Sequence, residues 1–278
     1  MTTITAQRPT APDTRRPSHV VADAITMLRR NLLHIVRYPG LSMFTILGPV
    51  VILLLLVFVF GGTLGAGLPG ANPAGGRDAY LAYVMPGILL ITIAGTASGA
   101  SITVAMDMTE GITARFRTMS ISRAAVLAGH VVGNTIQAII AVALVLGVGI
   151  LVGFRPVAGP IEWISAAGLI AAISFAVSWV GVAMGMQSKT VETASNLPMI
   201  LTLLPILGSG FVPTESMPQG MQWFAQYQPF TPFIETVRGL LLGTPLGGHP
   251  GLAIGWCVAI AVAGYAWSMA IYERKSVR

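Results

Sequence analysis

Charge is what this sequence has least of. Asp, Glu, Lys and Arg together make up 9% of its 278 residues, while the hydrophobic set reaches 54%; a soluble domain carries about 25% charged residues. So few charges cannot cover a water-soluble surface, so the bilayer is the solvent to reason with. Cysteine is nearly absent. Cys257 stands alone inside an apolar run, which excludes a disulfide framework and a thiolate metal cluster. Lysine is confined to Lys189 and Lys275. A phosphate-gripping loop ends in Gly-Lys-Ser/Thr, but Lys189 follows Ser188 and Lys275 lies in a charged tail, so no ATP hydrolysis and no bound cofactor are assignable to this chain. His19, His34, His130 and His249 show no metal-ligand spacing. The dispersed basic residues form no stripe interleaved with aromatics, which argues against nucleic acid as a partner.

What is abundant fits lipid. The 32 glycines and 18 prolines would ruin a soluble helical protein but are tolerated where helices pack in a membrane. The pattern predicts an all-α membrane protein with six transmembrane helices, an N-terminal interfacial amphipathic helix and a re-entrant helical hairpin before the last span. Residues 1–17, rich in Pro, Thr and Arg, read as a disordered tail. The Arg15-Arg16 pair is followed by Pro17, Ser18 and His19 where an apolar export segment would begin, so it is no twin-arginine signal. Residues 18–40 read as a helix capped by Ser18, with Val21, Ile25, Leu28, Leu32 and Ile35 or Val36 on one face and Asp23, Arg30 and Arg37 away from it. Those charges make spanning costly, so the helix is expected along the membrane surface.

Residues 41–272 form the predicted transmembrane domain, with spans at 42–62, 80–106, 124–153, 162–186, 194–212 and 251–272, each near the length needed to cross hydrocarbon. Tyr80 and Tyr83 are expected as interfacial anchors at the entrance of the second. Two segments break the pattern. Residues 107–123 hold two carboxylates and three arginines between spans, and 213–243 are too broken by Pro213, Pro218, Pro229 and Pro232 for one helix yet too apolar for a free loop. Two half-helices dipping into one leaflet satisfy both facts. Residues 273–278 form a short charged tail.

With both termini inside, all but Arg77, Arg155 and Arg238 of the 16 basic residues fall on the cytoplasmic side, which selects that orientation. The carboxylates are expected at helix ends or in loops, so a proton or ion gradient is a poor driving force for this chain. Ser98-Gly99 and Ser209-Gly210 are similar to the serine of intramembrane proteases, the rival from another class, but small residues at helix contacts are the commoner explanation.

Two stretches carry a resemblance: EGITARFRTMSISRAAVLAGH at 110–130 and FVPTESMPQGMQWFAQYQPFTPFIETVRGLLLG at 211–243. In the second, Gln228-Pro229, Thr231-Pro232 and Arg238-Gly239 recur in family order and spacing. Both resemble the permease subunits of type-2 ABC exporters, in the actinobacterial daunorubicin-resistance-like (DrrB-like) branch, and the likeness runs from the surface helix onward. One departure is Met119-Ser120, where the family often has Met-Pro.

The resemblance implies that 107–123 is a coupling element docking on a separate ATPase, with Glu110, Gly111, Arg115, Phe116, Arg117, Thr118, Ser122 and Arg123 as its residues. Arg115, Arg117 and Arg123 suit carboxylates on a partner, Phe116 offers an apolar anchor and Gly111 permits a sharp turn. It implies an outer gate built from Pro213, Met217, Pro218, Pro229, Pro232, Glu235, Arg238 and Gly239. Glu235 and Arg238, three apart, can pair on one helix face, while Trp223, Phe224 and Tyr227 read as interfacial anchors. It further implies a bacterial plasma-membrane subunit that is not itself an enzyme. Its partners are two ATPase copies holding ATP and Mg, a second permease copy, membrane lipids and a hydrophobic or amphipathic small molecule moved outward. A polysaccharide or glycolipid is the nearest alternative cargo.

Overall fold

The computed structural model describes residues 39–67, 76–109 and 123–276, and among these every regular element is a helix, with no strand. The first span is α1 (Pro39–Leu55), a π-helical turn (Leu56–Phe60) and α2 (Gly61–Ala66). Then follow α3 (Gly76–Thr109), α4 (Arg123–Val152) and α5 (Pro160–Gln187). Short helices α6 (Val191–Asn196) and α7 (Met199–Leu203) lead through turns to a 3-10 turn (Thr214–Ser216). The chain finishes with α8 (Gln219–Tyr227), α9 (Phe230–Leu242) and α10 (His249–Ser276). The tail and surface helix expected over 1–38, and residues 110–122 of the coupling segment, lie outside the described residues.

Among the described residues, five helices are long and apolar enough to cross a membrane: Thr45–Ala66, Gly76–Thr109, Leu127–Val152, Pro160–Gln187 and His249–Tyr272. The fifth expected span, 194–212, is not a continuous helix. Pro198, Pro205 and Pro213 each lack the N–H that a helix would donate four residues back, leaving the carbonyls of Ala194, Leu201 and Ser209 without that partner. Side chains from neighbouring elements supply what the backbone cannot. Ser101 Oγ donates to Ala194 O at 2.9 Å and an Arg238 nitrogen donates to Ser209 O at 2.8 Å. Between them, Gln228 Nε2 donates to Leu204 O at 2.9 Å. Irregular backbone inside a membrane protein is tolerated where the protein itself satisfies it, and this segment meets that condition.

Helix α3 lies at the centre, packed against α1, α4, α5, α6, α7 and α9. Its 34 residues extend about 51 Å. Two of its buried hydroxyls bond to their own helix, Thr92 to Ile88 O at 2.8 Å and Thr96 to Ile93 O at 2.8 Å, which offsets the cost of burying them. The α3/α5 seam is built from small residues four apart on both sides. A Cβ on Gly181 would stand 2.4 Å from Ala97 O, and one on Gly185 the same distance from Ser101 O. Absent side chains bring the backbones close, the usual means of helix association where water gives no hydrophobic drive. Asn134 Nδ2, on α4, donates to Ser178 Oγ of α5 at 2.7 Å across the next seam. By contrast α1, α4 and α10 keep large apolar residues such as Val51, Ile140 and Val258 exposed, as lipid-facing helices should.

Candidate functional site

The helices alternate direction, so α2 ends and α3 begins at one end of the bundle, where the α4–α5 turn, α8, α9 and the start of α10 also gather. The broken segment 213–243 folds there as two helices, and its prolines stand where helices need no N–H. Pro213 precedes the 3-10 turn, Pro218 and Pro229 are the N-cap residues of α8 and α9, and Pro232 falls in the first turn of α9. Met217 closes the 3-10 turn by donating its N–H to Thr214 O at 3.2 Å. At the far end Gly243 takes φ +69, a left-handed conformation suited to glycine, and its N–H bonds Gly239 O at 2.9 Å. Gly239 lies against Leu246, where a Cβ would meet the leucine side chain at 2.5 Å.

Arg238 is the centre of the site. Only 6% exposed, it pairs with Glu235 one turn earlier, as the spacing predicts. Its second terminal nitrogen donates to Tyr83 O at 3.0 Å and to Ser209 O at 2.8 Å, and its guanidinium lies 4.0 Å from the centre of the Tyr83 ring. One side chain thus ties α9 to α3 and to the broken fifth segment. Sequence reasoning found the pair but not its partners. Tyr83 and Tyr80 are not interfacial anchors, since Tyr80 is 1% exposed and Tyr83 carries the arginine on its face. Nor is Glu235 at a helix end, because α9 continues to Leu242. Trp223, Phe224 and Tyr227 do lie exposed on α8, with the Trp223 and Tyr227 rings 5.3 Å apart.

A cavity of about 710 Å³ opens beside the arginine, its wall including Tyr83, Ser209, Glu215, Thr231, Glu235 and Arg238. A second, of about 410 Å³, is lined by Leu64, Tyr80 and Phe211 and shares Pro213 and Glu215 with the first. Of the expected gate residues, Pro213, Glu235 and Arg238 meet on the larger cavity's wall, while Met217, Pro218, Pro229, Pro232 and Gly239 shape the backbone around it. Ser209 lies on this wall with its hydroxyl unpartnered, and Ser98 donates to Ala94 O of its own helix at 3.1 Å.

At the opposite end, α3 and α4 flank the expected coupling segment. Asp107 and His130 meet there at 3.3 Å, and Arg123 opens α4. Glu110, Gly111, Arg115, Phe116, Arg117, Thr118 and Ser122 lie outside the described residues. Among the described residues no group of His, Cys, Asp and Glu is arranged to hold a metal.

The family model for the ABC-2 type transporter matches residues 23–242. The chain belongs to that family. This ABC-2 permease is 28% identical over 267 residues to the daunorubicin resistance ABC transporter permease protein DrrB1 of Streptomyces coeruleorubidus, covering 94% of this chain and 90% of the relative. It is 26% identical over 197 residues to a probable doxorubicin resistance ABC transporter permease protein, DrrC, of Mycobacterium tuberculosis, covering 67% of this chain and 69% of the relative. The family match takes in both the Arg238 clamp and the segment 110–122, and it bears out the resemblance read from the two sequence stretches.

Proposed function

We propose that this permease is the membrane-spanning subunit of an ATP-driven exporter that moves hydrophobic or amphipathic molecules outward, powered by a separate ATPase. The observation that carries the reading is the likeness over 94% of the chain to a permease associated with daunorubicin resistance. Two features support it. The chain holds no Gly-Lys-Ser/Thr phosphate loop, so the motor must come from elsewhere. The spans are poor in ionisable groups, and Arg238 is neutralised by Glu235, which leaves little to bind a coupling ion at membrane depth.

In this reading the basic-rich end faces the cytoplasm of a bacterium and both termini lie there. Residues 107–123 dock on the ATPase, with Glu110, Arg115, Phe116, Arg117 and Arg123 making contact, Gly111 turning the chain and Thr118 and Ser122 completing the element. The 213–243 hairpin closes the outer side of the pathway. Two permease copies above two ATPases holding ATP and Mg form the complete machine, with the cargo passing between them.

The test is reconstitution of the permease with its ATPase in vesicles. ATP-dependent efflux of a lipophilic dye is expected; its absence alongside intact ATP hydrolysis removes the reading. Glu110→Ala and Arg115→Glu are expected to leave the protein in the membrane and the ATPase turning over while efflux falls about tenfold or more, since each removes or reverses a charge that this reading places against the ATPase. Unchanged efflux by both variants takes these residues out of the coupling step.

A further inference from the structure

The two cavities at the α3/α9 end differ in character and share a wall. The larger, about 710 Å³, is within the size range used by small-molecule sites and has charged and hydroxyl groups on it. The smaller, about 410 Å³, is walled largely by Leu64, Tyr80, Phe211 and Val212. Glu215 and Pro213 belong to both.

The charges on the larger cavity do not balance. Arg238 commits its terminal nitrogens to Glu235 and two backbone carbonyls and lies on the Tyr83 ring, only its Nε being left without a partner, and the imidazole of His249, also on the wall, makes no ion pair with Glu215. Glu215 accepts a hydrogen bond from Thr214 Oγ1 at 3.2 Å but has no ion-pair partner among the described residues. It is exposed on the 3-10 turn, so its carboxylate is reachable. A cavity with one uncompensated carboxylate favours a cation and disfavours an anion. Part of its wall, Ser209 and Pro213, comes from the broken fifth segment, and interrupted helices are where membrane transporters form their ligand sites.

We propose that the larger cavity binds the head of an amphipathic cation, with Glu215 as counter-ion, and that the adjoining smaller cavity receives its apolar body. This deepens the exporter reading and rests on it for the ligand's role as cargo. Glu235 and Arg238 hold the wall in place, and Glu215 selects the charge.

The experiment uses the purified full chain in lipid nanodiscs without ATPase or nucleotide, reading fluorescence anisotropy against empty nanodiscs. The probes are rhodamine 6G, a lipophilic cation, and fluorescein, an anion of similar ring system. Saturable rhodamine binding is expected, weakened about tenfold by Glu215→Gln and unchanged by Glu162→Gln, an exposed carboxylate on α5 outside both cavities. Fluorescein is expected to show no saturable binding. The proposal is overturned if Glu215→Gln binds rhodamine as the wild type does, if Glu162→Gln weakens it equally, or if both dyes bind alike. The vesicle efflux assay separates the two readings. Wild-type efflux with binding indifferent to Glu215 removes the cavity assignment and leaves the exporter; Glu215-dependent binding without any ATP-driven efflux removes the exporter and leaves the site.

Discussion

Arg238→Ala is expected to lower the thermal midpoint of the detergent-solubilised protein by on the order of 10 °C, the largest loss from any single polar substitution among the described residues. The reason is the number of groups it would abandon. Glu235 would keep its charge in a largely protein-enclosed place, and Ser209 O would lose the donor that stands in for the N–H missing at Pro213. Tyr83 O and the Tyr83 ring would lose their contacts as well. Removing one partner from a buried ion pair costs about 3–5 kcal/mol because the remaining charge is uncompensated; Glu235 is 27% exposed on the cavity wall, so the low end of that range applies here. Arg238→Lys should recover only part of that loss, since an ammonium lacks the planar fork that reaches Glu235 and two carbonyls while lying flat on a ring. The double variant Glu235→Leu with Arg238→Met removes the orphaned charge and is expected to be more stable than Arg238→Ala. A scan of intrinsic fluorescence against temperature distinguishes these; a midpoint for Arg238→Ala within a degree of wild type would show that the clamp holds nothing together.

Gly181→Leu is expected to be nearly as damaging, through packing instead of charge. The first atom of the new side chain would stand 2.4 Å from Ala97 O and 3.1 Å from the carbonyl carbon, a distance at which backbone must move. Overpacking of this kind costs about 3 kcal/mol, and here it falls on the seam joining the two most buried of the membrane-crossing helices, α3 and α5. Gly168, on the same helix, is the control. A Cβ there meets nothing within 4 Å, so Gly168→Ala should be neutral or stabilising by up to about 1 kcal/mol through helix propensity. Size-exclusion profiles after solubilisation report the outcome: aggregated or absent Gly181→Leu beside monodisperse Gly168→Ala. Equal behaviour of the two variants would mean that the close approach at Ala97 is not limiting.

Much of the fold was legible because hydrophobic length is written locally. Five of the spans read from the sequence coincide with continuous helices to within a few residues, since about 20 apolar residues in a row leave the backbone one economical way to satisfy itself in lipid. The two-helix form of 213–243 was equally readable, as each proline sits at a position that requires no N–H. The 194–212 stretch read as a span on hydropathy. Its prolines were visible, but whether a proline kinks a helix or dissolves it depends on donors arriving from elsewhere, here from Ser101, Gln228 and Arg238. Tyr80 and Tyr83 misled for a related reason. A tyrosine near a helix start is most often at the lipid interface, and nothing nearby in sequence announces that α9, some 155 residues on, will cover it.

Residue order alone determined that this chain lives in a membrane, where its helices run, that Glu235 and Arg238 share a face, and which family it belongs to. Each of these depends on spacing within one element or on composition, quantities that survive without a third dimension. The tertiary structure decided what Arg238 clamps, which carbonyls the broken segment surrenders to side chains, how near Gly181 comes to Ala97, and that Glu215 faces two cavities without an ion-pair partner among the described residues. Those facts join residues tens to hundreds of positions apart, and only the packing of helices brings such residues within reach of one another.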